Sequence, residues 1–290
     1  MQPLYVGPNL GQVVTALPQP IIHPLRGDLP VLLSIPHSGR EYPAWLVELA
    51  RHGHGSLRSL EDPLVDRLAW RALARGVGGV IALAPRAAVD CNRAEDEIDP
   101  MLVHMERRSR PSPRARGGLG IVPSRTAAHG PLWRQGMGQD ELERRLDEAY
   151  RPYHRAIEEQ LSLIANRFGC ALLLDCHSMP PCKNLTAVVF GDRFGRTAAP
   201  WLMSKALSVA SSAGLPAAAN DPFAGGHIVD RHGRPQAGIH AIQVEIDRRC
   251  YLTKSGDPGE RFDDVAALLE ALAVELGEEL LSRRIPAAAE

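Results

Sequence analysis

One stretch of the sequence constrains the fold more than any other: an apolar run of strand length that passes directly into polar residues. Residues 171–174 are Ala-Leu-Leu-Leu, and Asp175, His177 and Ser178 follow with one cysteine between the first two. Open α/β sheets bind their ligands just outside the carboxyl ends of their strands. We therefore expect Asp175, His177 and Ser178 to lie at a functional site.

An earlier segment has the same form. Residues 31–35 make a second apolar run, and Pro36 and His37 follow it. Proline has no amide N–H to donate to a sheet, so this strand is predicted to end at Pro36. Two strands that each deliver a histidine to one edge of a sheet indicate a metal site.

Short apolar segments alternate with amphipathic ones along the rest of the chain, which predicts an α/β fold. Further strands are predicted at residues 77–84, 87–93, 187–190 and 239–246. Helices are predicted at residues 43–52, 57–76, 139–168, 198–213 and 262–281.

The length of 290 residues allows two domains, although α/β folds of this size are often single domains. Residues 1–25 are predicted to form an extended arm or short edge strands, and residues 282–290 a frayed tail. Residues 94–138, rich in Arg, Pro and Gly, are predicted to be a long loop, either functional or disordered.

The charge balance argues against two classes of partner. Lys and Arg total 33 and Asp and Glu total 34, so no net field attracts nucleic acid or an anionic membrane. A local basic cluster between Arg107 and Arg116 is a candidate anion contact. No stretch reaches the ~18 apolar residues of a membrane-spanning helix.

The five cysteines suggest a reducing environment. Their number is odd and no Cys-x-x-Cys pair occurs, so a disulfide framework or a structural zinc ribbon is not expected. The first residues show no basic segment followed by an apolar core, so a cytoplasmic location is expected.

A metal site can be assembled from the polar residues of the predicted strand ends. Catalytic zinc takes three protein ligands from histidine and carboxylate, and His37, Asp62 and His177 meet that count. The same ligands suit other divalent ions. Each residue also has a structural alternative: Asp62 precedes Pro63 and suits a helix N-cap, and single histidines are most often structural.

The remaining polar residues have predicted roles around the metal. Glu245 lies in a strand of apolar residues and is the candidate base that takes a proton from water. Asp175, Asp90 and Ser178 are candidates to orient the ligands by hydrogen bonds. Asp175 is equally compatible with a turn residue at a strand end.

Asn92 and Arg93 are the candidate carboxylate-binding pair. Arginine offers a planar fork of two donors and asparagine a further amide donor. The alternative is that Arg93 pairs with one of the acids at residues 95–97. Arg125 and Arg231 are additional candidates to contact a substrate carboxylate.

These motifs, in their order along the chain, resemble the N-formylglutamate amidohydrolase (N-formylglutamate deformylase) family over roughly residues 30–255. The segments that carry the resemblance are residues 35–39, 61–62, 89–93, 151–154, 174–178, 225–228 and 240–245.

The resemblance implies a single-domain α/β fold related to zinc carboxypeptidases, a three-layer sandwich with helices on both faces of a mixed, mostly parallel sheet. It also implies metal-dependent hydrolysis of N-formyl-L-glutamate, the last step of one histidine-degradation route. His37, Asp62 and His177 would be the metal ligands, Glu245 the catalytic glutamate, and Asn92 with Arg93 the carboxylate-binding pair.

Three alternatives stay open at this stage. The same metal hydrolase could act on another N-acyl amino acid or on a peptide C-terminus. The chain could instead be a non-catalytic ligand-binding protein with a degenerate site. A serine hydrolase acting through Ser38 or Ser178 has little support, because neither serine lies in Gly-x-Ser-x-Gly.

Overall fold

The computed structural model describes residues 16–104, 111–181 and 186–283. In chain order its strands are β1 (Ile21–His23), β2 (Val31–Ile35), β3 (Gly78–Ile81), β4 (Val103–His104), β5 (Arg125–Thr126), β6 (Gly130–Pro131), β7 (Met137–Gly138), β8 (Ala171–Met179), β9 (Val188–Gly191), β10 (Ala217–Ala219) and β11 (Ile239–Asp247).

The α-helices are α1 (Ala44–Leu49), α2 (His54–Arg58), α3 (Val65–Leu68), α4 (Trp70–Ala74), α5 (Pro113–Arg116), α6 (Gln139–Arg145), α7 (Arg151–Phe168), α8 (Pro200–Ser212), α9 (His227–His232) and α10 (Phe262–Ser282). A π-helical turn, Leu146–Tyr150, joins α6 to α7, and short 3₁₀ turns lie at Pro235–Ala237 and Arg248–Cys250.

Seven strands form one mixed sheet in the order β1-β3-β2-β8-β11-β9-β10. The four strands β3, β2, β8 and β11 run parallel to one another, and β9 is antiparallel to β11. The edge strand β1 is antiparallel to β3. The predicted α/β class is therefore confirmed, with the sheet mixed and mostly parallel.

Helices cover both faces of this sheet. Successive side chains of a strand point to opposite faces, so each face has apolar residues that pack against helices. On one face, Leu173 of β8 belongs to an apolar core that includes Ile157 of α7. On the other face, Leu174 belongs to a core that includes Leu202 of α8 and Leu269 of α10. The expected three-layer arrangement is present.

The central strand β8 is longer than predicted. It runs through Asp175, His177 and Ser178 to Met179, and its ladder with β11 continues over the whole length. The apolar run at residues 171–174 is only the first part of the strand, because polar side chains do not interrupt a ladder that the backbone can complete. Asp175 and His177 lie on the same face of the sheet as Leu173.

Two other predicted elements differ. Residues 87–93 form turns instead of a strand, since the amide of Ala88 donates to the carbonyl of Pro85 and that of Asp90 donates to the carbonyl of Ile121. The predicted helix at residues 57–76 is broken into α2, α3 and α4. Leu64, which has a left-handed φ of 62°, breaks it.

The long segment at residues 94–138 is neither one loop nor regular structure. It holds α5 and the small strand pairs β4–β7 and β5–β6. The N-terminal arm contains the edge strand β1, and the other candidate strand, at residues 13–14, lies outside the described residues. The final helix α10 reaches Ser282. Residues 284–290 of the predicted tail lie outside the described residues.

In the described part of the chain, no helix combines the length and apolar character needed to cross a membrane. The four cysteines described, Cys91, Cys170, Cys176 and Cys250, are free thiols. Cys182 is not among the described residues.

Helix α7 offers a matched test of its packing against the sheet. Leu161 is 1% exposed, whereas Leu163, two residues further on, is 61% exposed. We expect Leu161→Ala to lower the free energy of unfolding by about 2–5 kcal/mol, because it leaves a cavity in the core. Leu163→Ala should change it by no more than about 0.5 kcal/mol. Chemical denaturation measures both, and equal effects would contradict this packing.

Candidate metal centre and active-site cavity

Three buried side chains converge at the carboxyl ends of β2 and β8. Asp62 Oδ2 lies 3.2 Å from His37 Nδ1 and 3.1 Å from His177 Nδ1, and the two Nδ1 atoms are 3.1 Å apart. His37 follows β2, His177 lies within β8, and Asp62 precedes the turn into α3. Together they form a group that could hold a metal ion, with ligand atoms within 4.8 Å of one another.

The far nitrogen of each imidazole is held by a second carboxylate. His37 Nε2 lies 2.8 Å from Asp90 Oδ1, and His177 Nε2 lies 2.9 Å from Asp175 Oδ2. An ionised carboxylate only accepts hydrogen bonds, so each Nε2 carries a hydrogen. With a metal ion bound, the Nδ1 atoms of neutral rings would present their lone pairs to that ion, as histidine ligands of metals do.

Further contacts fix the three aspartates. Arg86 Nε donates to Asp90 Oδ2 at 2.9 Å, and the hydroxyl of Ser34 donates to Asp175 Oδ1 at 2.8 Å. Arg248 Nη2 donates to Asp62 Oδ1 at 3.2 Å, and Ser178 Oγ donates to the same oxygen at 3.3 Å. Asp62 thus turns its second oxygen toward the histidines and does not cap a helix.

The electrostatics of the group favour a cation at its centre. Burial favours neutral Asp62, but hydrogen bonds from His177 and His37 outweigh burial and hold the Asp62 pKa well below its ordinary value. Burial likewise opposes charge on His177, but Asp175 and Asp62 raise its pKa well above the ordinary value. The surroundings of His177 therefore stabilise positive charge beside Asp62, and a metal ion would supply that charge.

The donor set fits zinc. Ligands ~2.0–2.1 Å from zinc in a tetrahedral site lie about 3.3–3.4 Å from each other. The three ligand atoms here are separated by 3.1–3.2 Å, slightly less than that spacing. Two imidazoles and one carboxylate also leave a fourth position open, as in catalytic zinc sites. Other divalent ions accept the same ligands.

Glu245 lies beside the candidate metal ligands, because β8 and β11 are in parallel register with Glu245 opposite His177. Gln243 Nε2 donates to Glu245 Oε1 at 2.7 Å, and Gln243 Oε1 accepts from the amide of Gly226. Burial raises the pKa of Glu245 to about 7, with the positive charge of His177 acting in the opposite direction. A carboxyl group with this pKa is suited to proton transfer near neutral pH.

Asn92 and Arg93 lie at the same edge although no strand precedes them. The amide nitrogen of Asn92 lies 3.1 Å from His177 Nε2, and Asn92 Oδ1 accepts from the amide of Ile228. Arg93 donates to the carbonyls of Leu119 and Asn92 at 2.9 and 2.7 Å. Among the described residues, Arg93 has no ion pair with the acids at residues 95–97.

One cavity of about 420 Å³ is bordered by the candidate metal ligands, Glu245 and the Asn92–Arg93 pair. Three arginines that the sequence did not single out for the site also line this cavity: Arg86, Arg114 and Arg248. Arg248 directly follows β11, so the strand-end argument that selected His37 also applies to it. Arg114 lies in the basic cluster noted as an anion contact, whereas nothing local in the sequence marks Arg86.

Two predicted substrate contacts lie elsewhere, so both are withdrawn. Arg125 lines a separate cavity with Trp133 and Arg134 and donates to the carbonyl of Arg116. It lies in β5, which pairs with β6 in a small hairpin within residues 94–138. Arg231 lies on α9 with an exposed side chain and does not border the site cavity.

The fold and the cavity together define an α/β protein with an enzyme-like cleft at the strand ends of a mixed sheet. Comparison with known proteins makes this class specific. The model of the N-formylglutamate amidohydrolase family matches residues 29–252, and the chain belongs to that family.

Three similar proteins have related names. N-formylglutamate deformylase from Pseudomonas aeruginosa is 31% identical over 270 residues, which cover 89% of this chain and 94% of that protein. The Pseudomonas putida enzyme of the same name is 28% identical over 269 residues, with the same two coverages of 89% and 94%. The crystal structure of N-formylglutamate amidohydrolase from Ralstonia eutropha JMP134 is 30% identical, with a TM-score of 0.83 over 90% of this chain and 98% of that one.

The hydrogen bond from His177 to Asp175 provides a test of the metal centre that does not depend on activity. We expect Asp175→Asn to weaken zinc binding about 10- to 100-fold, because the amide no longer orients and polarises the imidazole. Competition with a chromophoric chelator measures the affinity. Asp230→Asn, which alters a carboxylate paired with Arg193 and Arg196 far along the chain, is the control. Equal affinity in the two variants would exclude this role for Asp175.

Proposed function

We propose that the chain hydrolyses the formyl amide of N-formyl-L-glutamate, producing formate and L-glutamate. The proposal includes a divalent ion, zinc first, held by His37, Asp62 and His177. The partner is accordingly a small N-acyl amino acid. The cytoplasmic location and the part in histidine degradation stay predictions.

One observation supports this function above the others: the candidate metal ligands, Glu245 and Arg93 all border the same cavity. Amide hydrolysis needs an activated water, a group that carries the proton, and a group that holds the substrate. The first two needs are met by the metal group and by Glu245. The named relatives supply the substrate, since their printed names refer to N-formylglutamate.

The ion, when bound, supplies a Lewis acid for the formyl carbonyl and lowers the pKa of a water molecule. Glu245 accepts the proton that water loses when its oxygen attacks the formyl carbon. Glu245 then gives this proton to the glutamate nitrogen as the C–N bond breaks. Gln243 holds Glu245 through one oxygen and so leaves the other oxygen for the proton.

Asn92 and Arg93 hold the substrate beside the metal group. Arg93 uses Nε and Nη1 to bind backbone carbonyls, which leaves Nη2 for a carboxylate. Asn92 lies against His177 and anchors the start of α9 through Ile228. A carboxylate bound at Arg93 therefore places the adjoining amide close to the metal ligands.

The substrate proposal is tested with a pair of formyl amino acids. We expect the zinc-loaded protein to hydrolyse N-formyl-L-glutamate with a kcat/KM at least about 10-fold above that for N-formyl-L-alanine, since a charge-assisted contact contributes about 1.5–3 kcal/mol. Release of formate measures both rates. Similar rates would favour a metal hydrolase with another N-acyl substrate, and inactivity on both with no bound metal would favour a ligand-binding protein.

The role of Glu245 is tested by Glu245→Gln. We expect the variant to retain zinc and to lose about 10²- to 10⁴-fold in kcat, because the amide has a similar shape but does not accept the proton. Metal content by elemental analysis and turnover of N-formyl-L-glutamate are the two measurements. Glu158→Gln, on the exposed side of α7, is the control. Turnover near the wild-type value would remove Glu245 from the mechanism.

A further inference from the structure

The arginines that line the site cavity fall into two classes. Arg86 and Arg248 each pair with a buried carboxylate, Arg86 Nε with Asp90 Oδ2 at 2.9 Å and Arg248 Nη2 with Asp62 Oδ1 at 3.2 Å. Their positive charges are therefore neutralised within the protein. These two arginines stabilise the aspartates of the metal centre.

The other two arginines have no carboxylate partner among the described residues. Arg93 donates only to the backbone carbonyls of Leu119 and Asn92. Arg114 borders the cavity, and in the described part of the chain its guanidinium forms neither an ion pair nor a hydrogen bond. Two arginines without a carboxylate in direct contact thus border one cavity.

Local contacts hold the helix that carries Arg114. Helix α5 is capped by Ser112, whose Oγ accepts from the amide of Ala115 at 3.1 Å and donates to Glu97 Oε1 at 3.0 Å. The carbonyl of Arg114 accepts from the amide of Leu119 at 2.9 Å. The carbonyl of Leu119 in turn accepts from Arg93 Nε.

Leu119 therefore connects the backbone of Arg114 to the guanidinium of Arg93. This connection fixes the backbone of Arg114 relative to the guanidinium of Arg93. Burial lowers the pKa of Arg93, the negative charge of Asp90 raises it, and the positive charges of Arg86 and Arg114 lower it. An anionic ligand between the two arginines would relieve this repulsion.

We propose that Arg114 binds the side-chain carboxylate of an N-acyl dicarboxylic amino acid and is the residue that selects a glutamate-type substrate. Arg93 then binds the α-carboxylate. The assignment rests on the proposed function. It follows from position, since Arg93 adjoins Asn92, whose amide lies 3.1 Å from His177 Nε2, and the α-carboxylate is the one nearer the scissile amide.

The test compares two substrates of the same shape, N-formyl-L-glutamate and N-formyl-L-glutamine. In Arg114→Met, kcat/KM for the glutamate substrate should fall about 10- to 100-fold, chiefly through KM, because a charge-assisted contact is lost. For the glutamine substrate, whose side chain carries no charge, kcat/KM should change less than about 2-fold, since the lost contact acts on the side-chain carboxylate. Arg114→Lys, which keeps the charge, should recover part of the loss.

Arg116→Met is the matched control, because Arg116 lies on the same helix with an exposed side chain and does not border the cavity. This substitution should leave kcat/KM for both substrates unchanged. Equal losses on both substrates in Arg114→Met would show a merely structural role and overturn the assignment, as would no loss on either. A wild-type protein inactive on both substrates would instead overturn the proposed function itself.

Discussion

Three aspartates are buried side by side at one edge of the sheet, Asp62, Asp90 and Asp175, each no more than 2% exposed. An ionised carboxylate taken from water into a protein interior is strongly destabilising unless it is paired. Arg86 and Arg248 supply two positive charges against the three negative ones. Arg93 also acts on Asp90, and a cation between the histidines would stabilise the remaining negative charge. The requirement for that cation organises the whole site.

The parallel register of the central strands produces this arrangement. Asp175 is level with Ser34 on one side and with Gln243 on the other, while His177 is level with Glu245. All five side chains project from the face that carries α7, and the alternate residues of the same strands enter the core beneath α10. At their carboxyl ends the strands therefore serve packing on one face and chemistry on the other, and rigid backbone positions the reacting groups.

The sequence predicted those parts of the site that depend on local pattern. An apolar run followed by a histidine marks β2 and β8, and alternation places Glu245 on the polar side of β11. The prediction from sequence failed where contacts between residues far apart in the chain decide the conformation. Residues 87–93 have strand-like composition, yet a hydrogen bond to Ile121 makes them a turn. Arg125 was placed wrongly because residues 94–138 have no periodicity from which to orient a side chain.

The residues proposed to carry the chemistry lie on or next to regular strands, whereas the residue proposed to select the substrate lies in an irregular segment. The metal ligands and Glu245 are positioned by β2, β8, β11 and the turn before α3, all held by core packing on both faces. Arg114 belongs to an irregular segment whose link to the site runs through Leu119 and Arg93. Changes in that segment alter which carboxylate is bound without moving the ligand atoms. On this argument, substrate preference can vary among proteins of this fold while the metal centre is retained.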